Sequence, residues 1–140
     1  MVACGDADGA VTGNTRRYGA SLSKVKKVID ARPGEIMFGL NMIVNKGKTV
    51  FIGDTSVHEY PSSEELAEIA ISSARVVRLF GFDPKVAFVS HSTFGQPLTS
   101  RTKHIKDAVN ILKEKNVDFK FDGDMQPDVA LDEELSLIHI

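Results

Sequence analysis

The sequence predicts an α/β fold containing at least one pair of parallel strands, and three features carry that expectation. From Lys85 onward the order reads strand, helix, strand, a unit that by default pairs its strands in parallel through a right-handed crossover. The run Val86-Ala87-Phe88-Val89 is short and apolar throughout, as in a strand buried on both faces. Upstream, two β-type runs flank a polar turn containing glycine, which reads as an antiparallel hairpin.

Each element has its own local signal. Leu22, Val25, Val28 and Ile29 fall at helical spacing, and Arg32-Pro33-Gly34 supplies a stop, so a helix is expected over 22–29. The hairpin takes Ile36-Met37-Phe38 and Met42-Ile43-Val44 in its first arm, turns at Asn45-Lys46-Gly47-Lys48 and returns through Thr49-Val50-Phe51-Ile52. Pro61-Ser62-Ser63-Glu64-Glu65 is a capping box: the Ser62 hydroxyl accepts from the first turn of a helix and Glu65 bonds back to the Ser62 N–H. Leu66, Ile69, Ala70, Val76, Val77 and Phe80 give this helix its apolar face, and Gly81 ends it. After Asp83-Pro84 the strand 85–90 leads into a polar loop, and a helix over 100–115 carries Ile105, Ala108, Val109 and Leu112 on one side. A last strand is expected over 117–121, ended by Asp122-Gly123. The chain has no repeat or low-complexity tract, and Leu135 to Ile140 forms an apolar tail. Both ends read as unfinished, as expected for part of a larger fold, although a natural final turn explains the apolar tail equally well.

Composition narrows the function. With 140 residues, 42% of them apolar, the chain suits one domain with a hydrophobic core. A formal charge of -2 disfavours nucleic acid and anionic membrane as partners, leaving small molecules and other protein chains. The single cysteine, Cys4, forms no internal disulfide and suits a reducing compartment, so the cytoplasm is the expected location. No apolar stretch approaches the ~20 residues of a bilayer-spanning helix.

Three loops hold groups able to bind a ligand. In Ala7-Asp8-Gly9-Ala10-Val11-Thr12-Gly13, followed by Asn14-Thr15-Arg16-Arg17-Tyr18, glycines let the backbone approach an anion and two guanidinium groups can pair with phosphate oxygens. The same residues also suit an exposed turn with solvated arginines. Ser90-His91-Ser92-Thr93-Phe94-Gly95-Gln96-Pro97 follows the central strand at the carboxyl edge, where open α/β sheets bind ligands; ordinary turn chemistry explains it equally well. Asp54 and Thr55 form a further polar strand-end loop, with His58 and Glu59 beyond. Asp122, Asp124 and Asp128 cluster after a strand, but Val129, Ala130 and Leu131 occupy the later ligand positions of a calcium loop, and no metal is expected.

Four blocks, in order, resemble the phosphate acetyl/butyryl transferases: residues 7–13; Asp54-Thr55 with Pro61 to Ala70; Val86 to Gly95; and Asp122-Gly123-Asp124-Met125-Gln126 through Ala130. The similarity spans residues 5 to 135. It implies a three-layer α/β/α architecture with a mixed, mainly parallel sheet, part of a two-domain fold like that of isocitrate and isopropylmalate dehydrogenases. Residues 1–34 then lie at the edge of the first subdomain, 35–135 form the second, and 136–140 are a tail. The family converts acyl-CoA and phosphate to acyl phosphate and CoA in a cleft, where arginines and hydroxyls position the reactants and backbone donors meet the oxyanion.

The departures from this pattern direct the functional expectation. The acyltransferases commonly have a Thr-rich segment and an Arg-Pro where this sequence has Arg17-Tyr18 and Ser23-Lys24. The form Gly13-x-Thr15-Arg16-x-Tyr18 is instead similar to the transferase-like domain at the carboxyl end of bacterial NADP-dependent malic enzymes. Gln96 replaces a family serine, Asp124 stands where Glu is usual, and the family's Asn-Asp-Leu-Ser-Arg-Gly run is absent, so no catalytic residue carries over. The resemblance implies an acetyl-CoA-binding regulatory and oligomerisation module of such an enzyme, inactive by itself. Part of an active phosphate acyltransferase is the alternative. Arg16, Arg17, Asp54, Thr55, Ser92 and Thr93 are the expected contacts to acetyl-CoA, CoA or phosphate. No cofactor is expected in this chain, since NADP and a divalent metal would belong to a separate malic enzyme domain, and a homodimer or higher homo-oligomer is expected.

Overall fold

The computed structural model describes residues 1–92 and 99–132, the side chain of Arg101 apart. The chain divides into two compact units, Met1–Met37 and Phe38–Ile140. Thr93, the rest of its loop to Leu98, and the apolar tail lie outside the described residues.

In the first unit a single 3-10 turn, Val2–Cys4, is closed by Gly5 in the left-handed region at φ 78°. An irregular stretch then leads to helix α1, Tyr18–Val25. The helix expected over 22–29 therefore starts and stops earlier, and its remainder is a series of turns in which the Val28 and Ile29 N–H groups both donate to the Val25 carbonyl at 2.9 Å. No residue of α1 is buried, so its apolar spacing is not held in helical register by a core.

The second unit opens with the hairpin. Strands β1, Leu40–Asn45, and β2, Lys48–Gly53, pair antiparallel from Leu40↔Gly53 to Asn45↔Lys48. Lys46 and Gly47 both have positive φ, 47° and 81°, the geometry of a two-residue turn whose twist matches that of the strands. Residues 36–38, expected in the first arm, precede the ladder.

Helix α2 spans Ser63–Leu79, and its start is the capping box expected from the sequence. The Glu65 N–H donates to the Ser62 hydroxyl at 3.2 Å, and the Ser62 N–H donates to the Glu65 carboxylate at 2.8 Å. Ser62→Ala should lower the unfolding free energy by about 1 kcal/mol, read as a shift of the urea midpoint without a change of slope.

Strand β3, Lys85–Val89, connects through helix α3, Ser100–Glu114, to strand β4, Lys120–Met125, and the two strands pair in parallel as expected. Thr99 caps α3, its hydroxyl accepting from the Thr102 N–H. The core gathers Ala67 and Ala70 of α2, Phe88 of β3, and Ala108, Val109 and Leu112 of α3. Alanine at three of these positions leaves only methyl groups between the two helices, so their backbones can approach closely.

Three features differ from expectation. Strand β4 runs on through Asp122-Gly123-Asp124 to Met125, because parallel pairing with β3 overrides local turn chemistry. A short helix α4, Pro127–Leu131, follows, with proline at its first position where a missing N–H costs nothing. The described strands form two separate two-stranded sheets, one antiparallel and one parallel, in place of a single mainly parallel sheet. The two sheets share no ladder; α2 packs against both β2 and β3. The fold is mixed α/β.

Candidate functional site

The carboxyl ends of β3 and β4 form the first polar centre. The ladder continues one residue past β3, the Ser90 N–H donating to the Met125 carbonyl at 2.9 Å. The Ser90 hydroxyl then meets the Ser92 hydroxyl at 2.9 Å and the Asp124 carboxylate at 3.3 Å, and accepts the Ser92 N–H at 2.9 Å. Ser92 in turn donates its hydroxyl to Asp124. Ser92 is 0% and Asp124 3% exposed, so the Ser92–Asp124 bond is closed to solvent, while Ser90 is half-buried. It ties the two strand ends together and fixes where the chain leaves β3. On the outer side the Gln126 amide donates to the His91 carbonyl at 3.3 Å.

The second centre lies where β2 ends. The side chain of Asp54 is 2% exposed, and its carboxylate organises the loop that follows. One oxygen accepts N–H groups from Gly39 at 2.9 Å and from Ser56 and Val57 at 3.1 Å. The other accepts the His58 N–H at 2.9 Å and faces His58 Nδ1 at 2.7 Å. Burial by itself would raise the Asp54 pKa; the hydrogen bonds from Ser56, His58, Gly39 and Val57 outweigh it and hold the carboxyl below its ordinary value of 3.8. Thr55 is exposed, its hydroxyl accepting from the Asn41 amide at 2.9 Å.

The third centre belongs to the first unit. Gly13 and Asn14 both have positive φ, 135° and 65°, and the Thr15 N–H turns back to the Gly13 carbonyl at 2.8 Å. This turn carries Arg16 to the rim of a cavity of about 360 Å³ that Tyr18, Ser21 and Leu22 also line. Arg17 occupies the N-cap position of α1 without a side-chain cap bond, and both arginines are exposed.

The sequence-expected contacts thus fall into two kinds. Arg16, Arg17 and Thr55 are exposed, whereas Asp54 and Ser92 face into networks of the protein itself. Ser90, His58 and Asp124 complete those networks and were not among the expected contacts. The alternation Phe119, Phe121, Gly123, Met125 would have extended β4 and placed Asp124 inside it. Among the described residues no three His, Cys, Asp or Glu side chains gather as a metal site, and no helix is long and apolar enough to cross a membrane.

Comparison with known proteins gives this geometry a family. Residues 1–137 match the model for phosphate acetyl/butaryl transferase. The NADP-dependent malic enzyme of Rhizobium meliloti (strain 1021) is 47% identical over 131 residues, 94% of this chain and 17% of that protein. The phosphate acetyltransferase of Nitratidesulfovibrio vulgaris is 34% identical over 133 residues, covering 94% of this chain and 19% of its own. The chain therefore spans less than a fifth of the length of these curated relatives. A phosphotransacetylase from Streptococcus pyogenes superposes with a TM-score of 0.83 at 29% identity, over 95% of this chain and 41% of that one. The match over nearly the whole sequence, together with the shared fold, places the chain in the phosphate acetyl/butaryl transferase family.

Proposed function

We propose that this chain is part of the transferase-like domain of an NADP-dependent malic enzyme and acts there as an acetyl-CoA-binding regulatory and oligomerisation module. The observation that carries the reading is the 47% identity to the Rhizobium meliloti malic enzyme, against 34% to the phosphate acetyltransferase of Nitratidesulfovibrio vulgaris. The Ser90 and Ser92 hydroxyls bond to the Asp124 carboxylate, and in this reading that network holds the shape of the β3 edge. Arg16 and Arg17 are the anion contacts in this reading and Thr55 an exposed polar one, while Asp54 and Ser92 hold the loops that follow their strands. The oligomerising surface is β1, where Met42, Ile43 and Val44 are 48%, 49% and 64% exposed.

Isothermal titration of the chain with acetyl-CoA, with acetyl phosphate formation assayed on the same sample, tests the proposal. Binding without turnover is the expected result. Arg16→Ala should weaken that binding roughly tenfold, the ~1.5 kcal/mol of one charge-assisted hydrogen bond, and unchanged affinity removes Arg16 from the site. Turnover would favour the second reading, a piece of a working phosphate acyltransferase, which the superposition on the Streptococcus pyogenes phosphotransacetylase supports.

A further inference from the structure

We propose that His58 is a phosphoryl-accepting site, its Nε2 atom taking the phosphoryl group of an acyl phosphate while Asp54 holds the ring from the other side. A transferase that joins an acetyl group to phosphate makes an acyl phosphate, so the family itself supplies the class of donor. The proposal rests on family membership and not on the acetyl-CoA reading.

The ring is fixed in one orientation. His58 Nδ1 lies 2.7 Å from an Asp54 carboxylate oxygen that also accepts the His58 backbone N–H at 2.9 Å. The N–H groups around Asp54 keep it ionised, and an ionised carboxylate is an acceptor only, so Nδ1 carries the proton in this bond. In the neutral ring the lone pair then resides on Nε2. The Asp54 side chain is 2% exposed and that of His58 23%. With the Nδ1 edge set against the buried carboxylate, the opposite edge, which carries Nε2, is the one left for solvent. A carboxylate behind an imidazole orients the far nitrogen for attack and stabilises the cation that forms.

This arrangement singles out one histidine. Among the described residues, His91 makes its hydrogen bond through its backbone carbonyl, and His104 lies near Glu64 with no hydrogen bond between them. The loop around His58 also carries donors for phosphoryl oxygens. Thr55 and Ser56 are exposed, and a Cβ on Gly39 would lie 3.5 Å from each of their hydroxyl oxygens. The Thr55 oxygen accepts from Asn41, which leaves the Thr55 proton for an acceptor.

In the step itself the Nε2 lone pair attacks phosphorus. The Nε2–P bond forms, the bond from phosphorus to the acyl oxygen breaks, and the acyl group leaves as a carboxylate with the electron pair. No proton moves: the ring becomes a cation whose Nδ1–H stays on Asp54. Asp54 is thus a positioning residue and His58 the nucleophile.

The test incubates this chain with acetyl phosphate and maps the products by peptide mass spectrometry without acid, which would cleave a phosphoimidazole. A phosphoryl group should appear on His58 and be about tenfold less abundant on His91 and His104. Asp54→Asn, shown to be folded by circular dichroism, should label about tenfold more slowly at His58. A variant that lost only its structure would fail the dichroism check, and the selectivity of the unaltered chain then decides by itself. Four outcomes overturn the proposal: no phosphoryl group on His58, equal labelling of His91 or His104, an acyl group on His58 in place of a phosphoryl group, or unchanged labelling of folded Asp54→Asn. Acetyl-CoA enters none of these readouts, so failure here and failure of the regulatory reading are separate results.

Discussion

Gly123→Ala is expected to destabilise the fold by about 3 kcal/mol, the sum of a strained backbone conformation and a forced separation in a packed core. Gly123 sits in β4 at φ 151°, directly across from Phe88 of β3. A Cβ there would lie 2.7 Å from the Phe88 Cβ and 2.8 Å from its carbonyl oxygen, so the strands would have to part. Phe88 is itself 7% exposed and belongs to the core, and therefore cannot yield without disturbing α2 and α3. The separation would also pull Asp124 away from Ser90 and Ser92. Urea unfolding followed by circular dichroism measures the loss; a midpoint equal to that of the unaltered chain would mean that the strands do not approach so closely.

The Asp54 loop should give an effect of similar size, with a dependence on acid that the glycine variant lacks. Asp54→Ala leaves the N–H groups of Gly39, Ser56, Val57 and His58 without their acceptor, a loss of about 3 kcal/mol even when water recovers part of the bonding. Because the folded carboxyl titrates below 3.8, the unfolded chain takes up its proton first as the pH falls. The stabilisation is therefore complete above that value and is lost as the pH drops through the lower folded one. Asp54→Asn keeps the shape and removes the titration. Plotted against pH from neutrality to about 3, its urea midpoint should fall less steeply than that of the unaltered chain. Parallel curves would show that Asp54 does not set the acid response.

Local signals located the elements wherever they agreed with packing. Ser62 and Glu65 announced the start of α2 and Gly81 its end, and Val86 to Val89 announced a strand that pairs in parallel. They failed where distant contacts decide. Asp122-Gly123-Asp124 has the composition of a turn, yet its pairing with β3 and the bonds from Ser90 and Ser92 make it strand. The candidate site was legible as residue types and not as roles. Polar residues after β2 and β3 mark strand ends in the sequence, but only the fold separates Asp54 and Ser92, turned inward, from Thr55, left exposed. Arg16 and Arg17 are exposed, as a guanidinium following a Gly-Asn turn is expected to be.

Helix α2 touches both the hairpin and the parallel pair, although no ladder joins those sheets. Among the described residues, the hairpin and the parallel pair are coupled chiefly through this helix and the Phe51 ring, which meets Phe80 and Phe82 just beyond its end. A substitution on the hairpin side of that helix should lower the melting temperature reported from the parallel strands as much as that reported from the hairpin. Two distinct melting steps would locate the break at α2.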